Sequence, residues 1–126
     1  MPPCRPMTDT TALIDNYIAI WNEPDSERRR ELIARTWTED ASYVDPMLTG
    51  MGHGGIDTMI AGAQEQFPGH RFELVDGPDA HHDRVRFTWH LVAEPGGAPV
   101  AVGLDFGTLA PDGRLHSVTG FLTAAA

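Results

Sequence analysis

Residues 84–123 read RVRFTWHLVAEPGGAPVAVGLDFGTLAPDGRLHSVTGFLT, and this stretch decides the fold. Together with the residues just before it, it contains four runs in which apolar and polar side chains alternate as in half-buried strands: residues 71–75, 84–93, 100–109 and 115–123. Turn signals separate the runs: Asp76-Gly77-Pro78, Pro95-Gly96-Gly97 and Pro111-Asp112-Gly113. Links this short predict antiparallel hairpins.

The residues before these strands predict three helices, because apolar side chains recur at helical spacing in three segments: residues 13–21, 32–37 and 56–67. The motif Asn22-Glu23-Pro24-Asp25 ends the first helix and supplies a cap for the second. The second helix carries Arg28, Arg29 and Arg30. In so acidic a chain, we expect this arginine run on the solvent-exposed side of the helix.

The order of the segments indicates the fold class. Residues 41–45 predict a short strand that Pro46 stops. Helices followed by an antiparallel meander are typical of an α+β fold, in which the three N-terminal helices pack on one face of a curved, mostly antiparallel sheet. The chain has 126 residues, which fits one domain. We expect residues 9–126 to form that domain and residues 1–8, with three prolines, to form a flexible leader.

Composition limits the partners. Hydrophobic residues make up 41% and charged residues 21% of the chain, as in an ordinary globular domain. No apolar run reaches the roughly 20 residues that span a bilayer, and the first residues lack the apolar block of a signal peptide. We therefore expect a soluble, cytoplasmic protein. Its net charge of -9 disfavours nucleic acid and membrane surfaces as partners.

Several reactive groups are missing from the sequence. All nine basic residues are arginine, so Schiff-base chemistry on lysine is excluded. Cys4 is the single cysteine, which excludes an internal disulfide and a thiolate metal cage. His81 and His82 are neighbours that point to opposite faces of an extended segment, and no histidine pair has ligand spacing, so we expect no metal. His53 follows Asp45 in a glycine-rich loop, where it either borders a pocket or has only a surface or capping role.

The side-chain parity of the strands points to an internal pocket. One face of the 84–93 strand is apolar and should pack on the helices: Val85, Phe87, Trp89 and Leu91. One face of the next strand carries three small residues and a carboxylate: Ala101, Gly103, Asp105 and Gly107. Either a ligand cavity or a β-bulge explains glycine there. A bulge would turn Asp105 to solvent or to Arg86, whereas a cavity would place this acid in its wall.

These residues resemble the nuclear transport factor two-like superfamily from about Asp9 onward. The resemblance lies in the helices, the strand ending at Asp45-Pro46, and the antiparallel sheet that closes with Asp112-Gly113-Arg114-Leu115. It implies a cone-shaped α+β barrel with an internal pocket. Within the superfamily, the sequence is most similar to the SnoaL-like and ketosteroid isomerase-like branch.

Three positions match the ketosteroid isomerase pattern. Asp45 precedes Pro46 and stands eight residues after Trp37, as the general base does in that branch. Tyr17 lies in a Tyr-Ile pair on the first helix, which is the place of an oxyanion-hole tyrosine. Asp105 stands nine residues before Arg114, where a protonated aspartate serves as the second donor.

The resemblance implies a cofactor-independent isomerase or cyclase that acts by proton abstraction next to a carbonyl. Asp45 would take the proton, while Tyr17 and neutral Asp105 would hold the enolate oxygen, in the logic that ketosteroid isomerase itself exemplifies. The substrate would be a small apolar ketone, steroid-like or polyketide-like. The residues expected to line its pocket are Trp21, Trp37, Met59, Phe67, Phe87, Trp89, Gly103 and Val118.

Other functions of the same fold remain open. Epoxide hydrolases of this superfamily use a further acid on the final strand, where this chain has Gly120. Dehydration would use paired histidines, and His82 or His116 could supply one of them. A non-catalytic, small-molecule-binding module is a third reading. The outer face of the sheet mixes apolar residues such as Val102, Leu104 and Phe106 with polar ones, which suits a homodimer interface.

Overall fold

The protein, in the form of a computed structural model, is described from residue 7 to residue 123. Residues 1–6, which include Cys4, and residues 124–126 lie outside the described residues. The elements follow in the order α1 (Met7–Asn22), α2 (Ser26–Thr36), β1 (Trp37–Val44), β2 (Thr49–Met51), α3 (Gly52–Gln66), β3 (Arg71–His81), β4 (Arg84–Val92), β5 (Pro99–Leu109) and β6 (Leu115–Thr123). Helix α1 thus begins two residues before the domain start expected at Asp9.

Three helices pack on a six-stranded sheet, which confirms the α+β cone arrangement. The strand order is β2-β1-β6-β5-β4-β3, and β1 and β6 are the parallel pair in an otherwise antiparallel sheet. Strands β2 and β3 lie at opposite edges and do not pair with each other, so the sheet is open rather than a closed barrel. The core fills the space between helices and sheet with residues such as Ile14, Ile33, Ile60 and Leu115.

Helix α2 begins as the sequence predicts. The Asp25 side chain accepts a hydrogen bond from the backbone N–H of Arg28 at 2.9 Å, which caps the first turn. The helix ends at Thr36, so Trp37 starts β1 instead of closing the helix, and it is fully buried there. Arg114 donates from Nη1 to the carbonyl oxygens of Ala34 and Trp37 at 3.0 and 3.2 Å, which satisfies carbonyl groups at this helix end.

One arginine of the 28–30 run is buried, and the expectation of a wholly solvent-exposed run was wrong. Arg29 is only 4% exposed, and its Nε lies 2.6 Å from Oδ1 of Asp57 on α3. Its Nη1 also donates to the carbonyl oxygen of Glu23 at 2.9 Å. Burial of this charge is possible because a carboxylate and a carbonyl accept its hydrogen bonds. Arg29 therefore joins α2 to α3.

Strands β4, β5 and β6 confirm the predicted antiparallel hairpins, and β4 confirms its predicted parity. Val85, Phe87, Trp89 and Leu91 are buried on the helix-facing side of β4. Phe87 pairs with Asp105 and Trp89 pairs with Gly103, so the small-residue face of β5 also points inward.

The predicted turn at Asp76-Gly77-Pro78 was wrong, because these residues lie inside β3. The pairing of β3 with β4 shifts register on both sides of Asp76, as at a β-bulge. Gly77 has a φ of +98°, and the Gly77–Pro78 peptide is cis. The extra residues therefore bulge out of a continuous strand, and the chain reverses later, at His82, whose φ is +51°.

None of the described helices is long and apolar enough to cross a bilayer.

Candidate functional site

An apolar cavity of about 140 Å³ lies between α1, α3 and the inner face of the sheet. Six aromatic side chains belong to its wall: Tyr17, Trp21, Tyr43, Phe67, Phe72 and Trp89. Two carboxyl groups, those of Asp45 and Asp105, belong to the same wall. At the mouth, Met47 is 71% exposed and Phe67 and Leu122 are partly exposed, so the cavity opens to solvent there.

Asp45 is held at the end of β1 by three hydrogen-bond donors. Its Oδ1 accepts the backbone N–H groups of Met47 and Leu48 at 2.8 and 2.7 Å, within the turn that Pro46 starts. Its Oδ2 accepts the hydroxyl of Tyr43 at 2.6 Å. An ionised carboxylate offers about four acceptor positions on its two oxygens. The Asp45 carboxylate is therefore fixed in place, and its remaining acceptor position is on Oδ2.

Tyr43 was not identified from the sequence as a site residue. It is buried in β1, paired with Gly50 on one side and Val118 on the other, and its ring contacts Trp21 at a centroid distance of 5.4 Å. Burial, the charge of Asp105 and the hydrogen bond to Asp45 all raise the pKa of Tyr43 well above its usual value. This phenol is thus a permanent donor. The signal that could have found it is parity, because residues two apart on a strand share a face.

Asp105 lies deeper in the same wall, on β5. It is 1% exposed, and the Tyr17 hydroxyl donates to its Oδ2 at 2.7 Å. Its other oxygen, Oδ1, is buried and has no hydrogen-bond partner of normal geometry among the described residues. Buried polar atoms are nearly always partnered, so an unpartnered oxygen in a cavity wall is a candidate contact for a ligand.

The two carboxyl groups have different surroundings. Burial raises the pKa of Asp105 from 3.8 to about 6. The hydrogen bond from Tyr17 lowers it, as does the nearby indole N–H of Trp89, which does not reach normal hydrogen-bond geometry, and the charge of Asp45 raises it. Burial and the neighbouring charge of Asp105 also hold the pKa of Tyr17 well above its usual value. Two acids in one cavity, one half-buried with three donors and one fully buried with a raised pKa, can adopt different protonation states.

Gly120 of β6 lies between the two acids. A Cβ atom at this position would lie 2.9 Å from Oδ1 of Asp105, 3.0 Å from Cβ of Asp45 and 3.2 Å from Oη of Tyr43. No side chain fits there without moving the acids. The further acid that the epoxide hydrolase reading requires on this strand therefore has no room.

The sequence leaves a cavity or a bulge as the reason for glycine at position 103, and the structure shows a different one. A Cβ on Gly103 would lie 2.1 Å from the indole ring of Trp89, which covers this glycine on the neighbouring strand. Glycine is needed here so that a large aromatic ring can lie flat against the backbone. The ring, and not Gly103, then forms the cavity wall.

The residues predicted to contact a substrate divide into two groups. Trp21, Phe67 and Trp89 line the cavity, as do all three predicted catalytic residues. The others are not among its lining residues, and that part of the prediction needs correction: Trp37, Met59, Phe87, Gly103 and Val118. These five are buried behind the wall, where an inward-facing side chain meets core instead of cavity. Strand parity shows which side chains face the helices, but it cannot show whether such a side chain contacts the cavity or the packed core.

The histidines lie away from the cavity. His53 lies in the first turn of α3 and not in a loop, so the predicted glycine-rich loop was wrong at this position. Its Nε2 is 2.9 Å from the carbonyl oxygen of Trp37, which favours the capping role over the pocket role. His81 and His82 are exposed at the β3–β4 turn, and the expectation that they point to opposite faces was wrong. Their Nδ1 atoms lie 3.3 Å apart because the chain leaves the extended conformation at His82. His116 is exposed near Asp40. Among the described residues, no group of three or more metal-ligating side chains comes together.

Comparison with known proteins gives one family. Residues 14–118 match the model of the SnoaL-like domain. A crystal structure of a proposed isomerase of the SnoaL-like family from Agrobacterium tumefaciens strain C58 is 44% identical, with a TM-score of 0.86 over 94% of this chain and 100% of that chain.

Two more distant structures share the fold. A SnoaL-like protein of unknown function from Burkholderia thailandensis is 15% identical, with a TM-score of 0.72 over 98% of this chain and 100% of that chain. A proposed polyketide cyclase from Sinorhizobium meliloti is 16% identical, with a TM-score of 0.66 over 86% and 93% of the two chains. No curated protein matches the chain.

Proposed function

Because the chain belongs to the SnoaL-like family of the nuclear transport factor two-like superfamily, we propose that it is a cofactor-independent isomerase or cyclase for a small apolar ketone, steroid-like or polyketide-like. The step would be removal of a proton from the carbon next to the carbonyl. The observation that carries the proposal is the pair Asp45 and Asp105, two carboxyl groups in the wall of one apolar cavity with unequal surroundings.

Asp45 acts as the base in this proposal. Three donors hold its carboxylate, and the free acceptor position on Oδ2 is the one that can receive a proton. The two backbone donors on Oδ1 prevent rotation of the group. The carbon acid must therefore approach Oδ2.

Asp105 supplies the stabilising donor. Its Oδ2 accepts from Tyr17, so the neutral acid carries its own proton on Oδ1, the oxygen without a partner. A ketone oxygen that becomes an enolate gains most from a donor placed in advance in a dry site. Tyr17 supports this contact through Asp105, since its single proton is already engaged.

The wall favours a neutral ligand with an aromatic or alicyclic body. Six aromatic rings surround the space, and hydrogen-bonding groups are few. Once the enolate is formed, return of the proton at another carbon gives isomerisation, and attack on a second carbonyl of the same molecule gives aldol cyclisation. Both outcomes use the same residues.

Proton–deuterium exchange tests the proposal. The probe is 2-tetralone in deuterated buffer, followed by proton NMR. We expect wild type to accelerate exchange, Asp45→Asn to lower the rate by about 10²–10⁴-fold, and Asp105→Ala to lower it by about 10²–10³-fold. Asp105→Asn retains an N–H donor and should fall between Asp105→Ala and wild type. The matched control is Glu31→Gln, an exposed acid on α2.

Two outcomes would contradict the proposal. If wild type does not accelerate exchange of 2-tetralone, or if Asp45→Asn exchanges as fast as wild type, Asp45 is not a base for such ketones. Saturable binding of 2-tetralone without exchange would favour the non-catalytic binding module instead.

A further inference from the structure

The cavity holds negative charge that no positive side chain offsets. Its lining residues include two aspartates but no arginine or histidine. The ion pairs of the described part of the chain all lie elsewhere: Arg29 and Arg30 with Asp57, Arg71 with Glu73, Arg84 with Asp83, Arg86 with Asp79, Arg114 with Asp112 and His116 with Asp40. When Asp105 is ionised, two carboxylates therefore share one apolar space without a counter-ion.

Asp105, a residue of the cavity wall, also has an acceptor that no described group uses. Oδ1 is buried and unpartnered, while Oδ2 already accepts from Tyr17. An ionised carboxylate accepts hydrogen bonds and attracts cations, but cannot donate. A ligand that brings a positive charge or a hydrogen-bond donor would therefore stabilise the ionised carboxylate of Asp105.

The aromatic wall matches the same kind of ligand. Trp21 contacts the rings of Tyr17, Tyr43 and Phe72 at centroid distances of 6.3, 5.4 and 5.3 Å, and Phe72 contacts Trp89 at 5.2 Å. These five rings form a continuous surface beside the two carboxyl groups. Aromatic faces attract organic cations, and cages of such rings bind quaternary ammonium groups.

We propose that this cavity also binds apolar ammonium compounds, whose cationic head lies between the aromatic wall and the Asp45 and Asp105 carboxylates. The ligand class is a lipophilic amine or quaternary ammonium ion of roughly one-ring size. This binding goes beyond the proposed proton transfer and does not depend on it. A bound cation would compete with a ketone for the same space.

The two ligand classes require opposite protonation states of Asp105. A ketone needs the neutral acid as a donor, whereas a cation needs the carboxylate. Because burial places the Asp105 pKa at about 6, cation affinity should fall as pH drops through about 6, and ketone affinity should rise. The titratable groups that face Asp105 are Tyr17 from α1 and Tyr43 and Asp45 from β1 and its turn; α3, β3, β4 and β6 contribute none to the lining. Both phenols stay neutral, since their pKa values are raised.

A matched pair of probes isolates the charge. Benzyltrimethylammonium and neopentylbenzene have the same shape, and only the first is charged. Binding to the full chain can be followed by tryptophan fluorescence, because Trp21 and Trp89 line the cavity. At pH 8 we expect the cation to bind at least about tenfold more tightly than its isostere, which corresponds to about 1.4 kcal/mol. At pH 5 this preference should shrink, while binding of the neutral probe changes little.

Two variants locate the effect. Asp105→Asn should abolish most of the preference for the cation and its pH dependence, yet keep neopentylbenzene binding, which also shows that the cavity is intact. Glu31→Gln removes the same charge from an exposed site on α2 and should leave the preference unchanged. If Asp105→Asn fails to fold, the comparison of pH 5 with pH 8 in wild type and the variant Asp45→Asn provide the test.

The proposal is overturned by equal affinity for the two probes at pH 8, by absence of cation binding, or by an equal loss in Glu31→Gln and Asp105→Asn. Failure of the ketone exchange assay does not affect it, because the fluorescence measurement needs no turnover.

Discussion

Asp105 and Gly120 are direct cross-strand partners on β5 and β6, and the carboxyl group lies where a side chain on Gly120 would otherwise be. Because Gly120 has no side chain, the carboxyl group of Asp105 on β5 and the side chain of Asp45 after β1 can both lie next to its Cα atom. The site therefore requires glycine at position 120 as well as the two aspartates.

Gly120→Ala should disrupt the site. The new methyl would lie 2.9 Å from Asp105 Oδ1, so the acids must move, at a cost of about 1–3 kcal/mol in unfolding free energy. The rate of proton–deuterium exchange of 2-tetralone should also fall, because the two acids are displaced. The matched control is Gly62→Ala on α3, where a Cβ would meet no atom within 4 Å. This substitution should raise the free energy of unfolding by about 0.5–1 kcal/mol, because alanine favours the helix more than glycine does. Urea denaturation measures both; equal effects would contradict the crowding at Gly120.

Asp105 should make the protein less stable as pH rises. Its folded-state pKa of about 6 lies above the usual 3.8, so its contribution is fully present below pH 3.8 and is lost as pH rises through about 6. The loss amounts to at most about 3 kcal/mol. Asp105→Asn has no such group, so its stability relative to wild type should increase between pH 4 and pH 7. Parallel stability curves from urea denaturation would refute this.

Loss of Arg29 should destabilise the protein strongly, because the Asp57 carboxylate would stay buried without its closest partner. Arg29→Met leaves the buried Asp57 with only the longer 3.3 Å contact to exposed Arg30, and we expect a loss of about 3–5 kcal/mol. Arg30 is 69% exposed, so Arg30→Met is the matched control, with an expected loss of about 0–1 kcal/mol. Thermal or urea unfolding distinguishes the two. Similar losses would show that burial of Arg29 does not matter.

The outer face of the sheet should bind a second copy of the chain. Phe121 is 55% exposed and lies opposite Leu104, while Phe106 is exposed on the next strand position of the same face. Sedimentation velocity should give a dimer for wild type and a monomer for the double variant Phe106→Asp, Phe121→Asp. Met51→Asp, on the edge strand β2, is the control and should remain dimeric. A monomeric wild type would exclude this interface.

The resemblance to ketosteroid isomerases selected Asp45, Tyr17 and Asp105 as the site, because alternation in β5 left two alternatives for Asp105. Local patterns predicted most of the elements: alternation in β4 placed Phe87 on the inner face, and spacing along α1 placed Tyr17 on the apolar side of that helix. Such features depend on residues near one another in sequence, and they are visible without a structure. The Asp76-Gly77-Pro78 signal misled because glycine and proline suit a bulge as well as a turn.

The remaining features depend on partners that are distant in sequence. Arg29 is buried only because Asp57 lies 28 residues later in the chain. Gly103 is explained by the ring of Trp89. The cavity boundary, which excludes Trp37 and Val118, depends on how side chains from the helices and the sheet pack together. Composition and spacing carry no information on such contacts.

The two backbone donors that hold Asp45 have a consequence for how this fold can diversify. Main-chain N–H groups persist whatever side chains occupy positions 47 and 48, with proline as the exception. Met47 and Leu48 can therefore be exchanged to reshape the entrance while the carboxylate keeps its orientation. In the proposed reaction, the main chain of this turn orients the base and its side chains shape the entrance. A directed-evolution library at positions 47 and 48 should therefore change substrate preference while it keeps the orientation of Asp45.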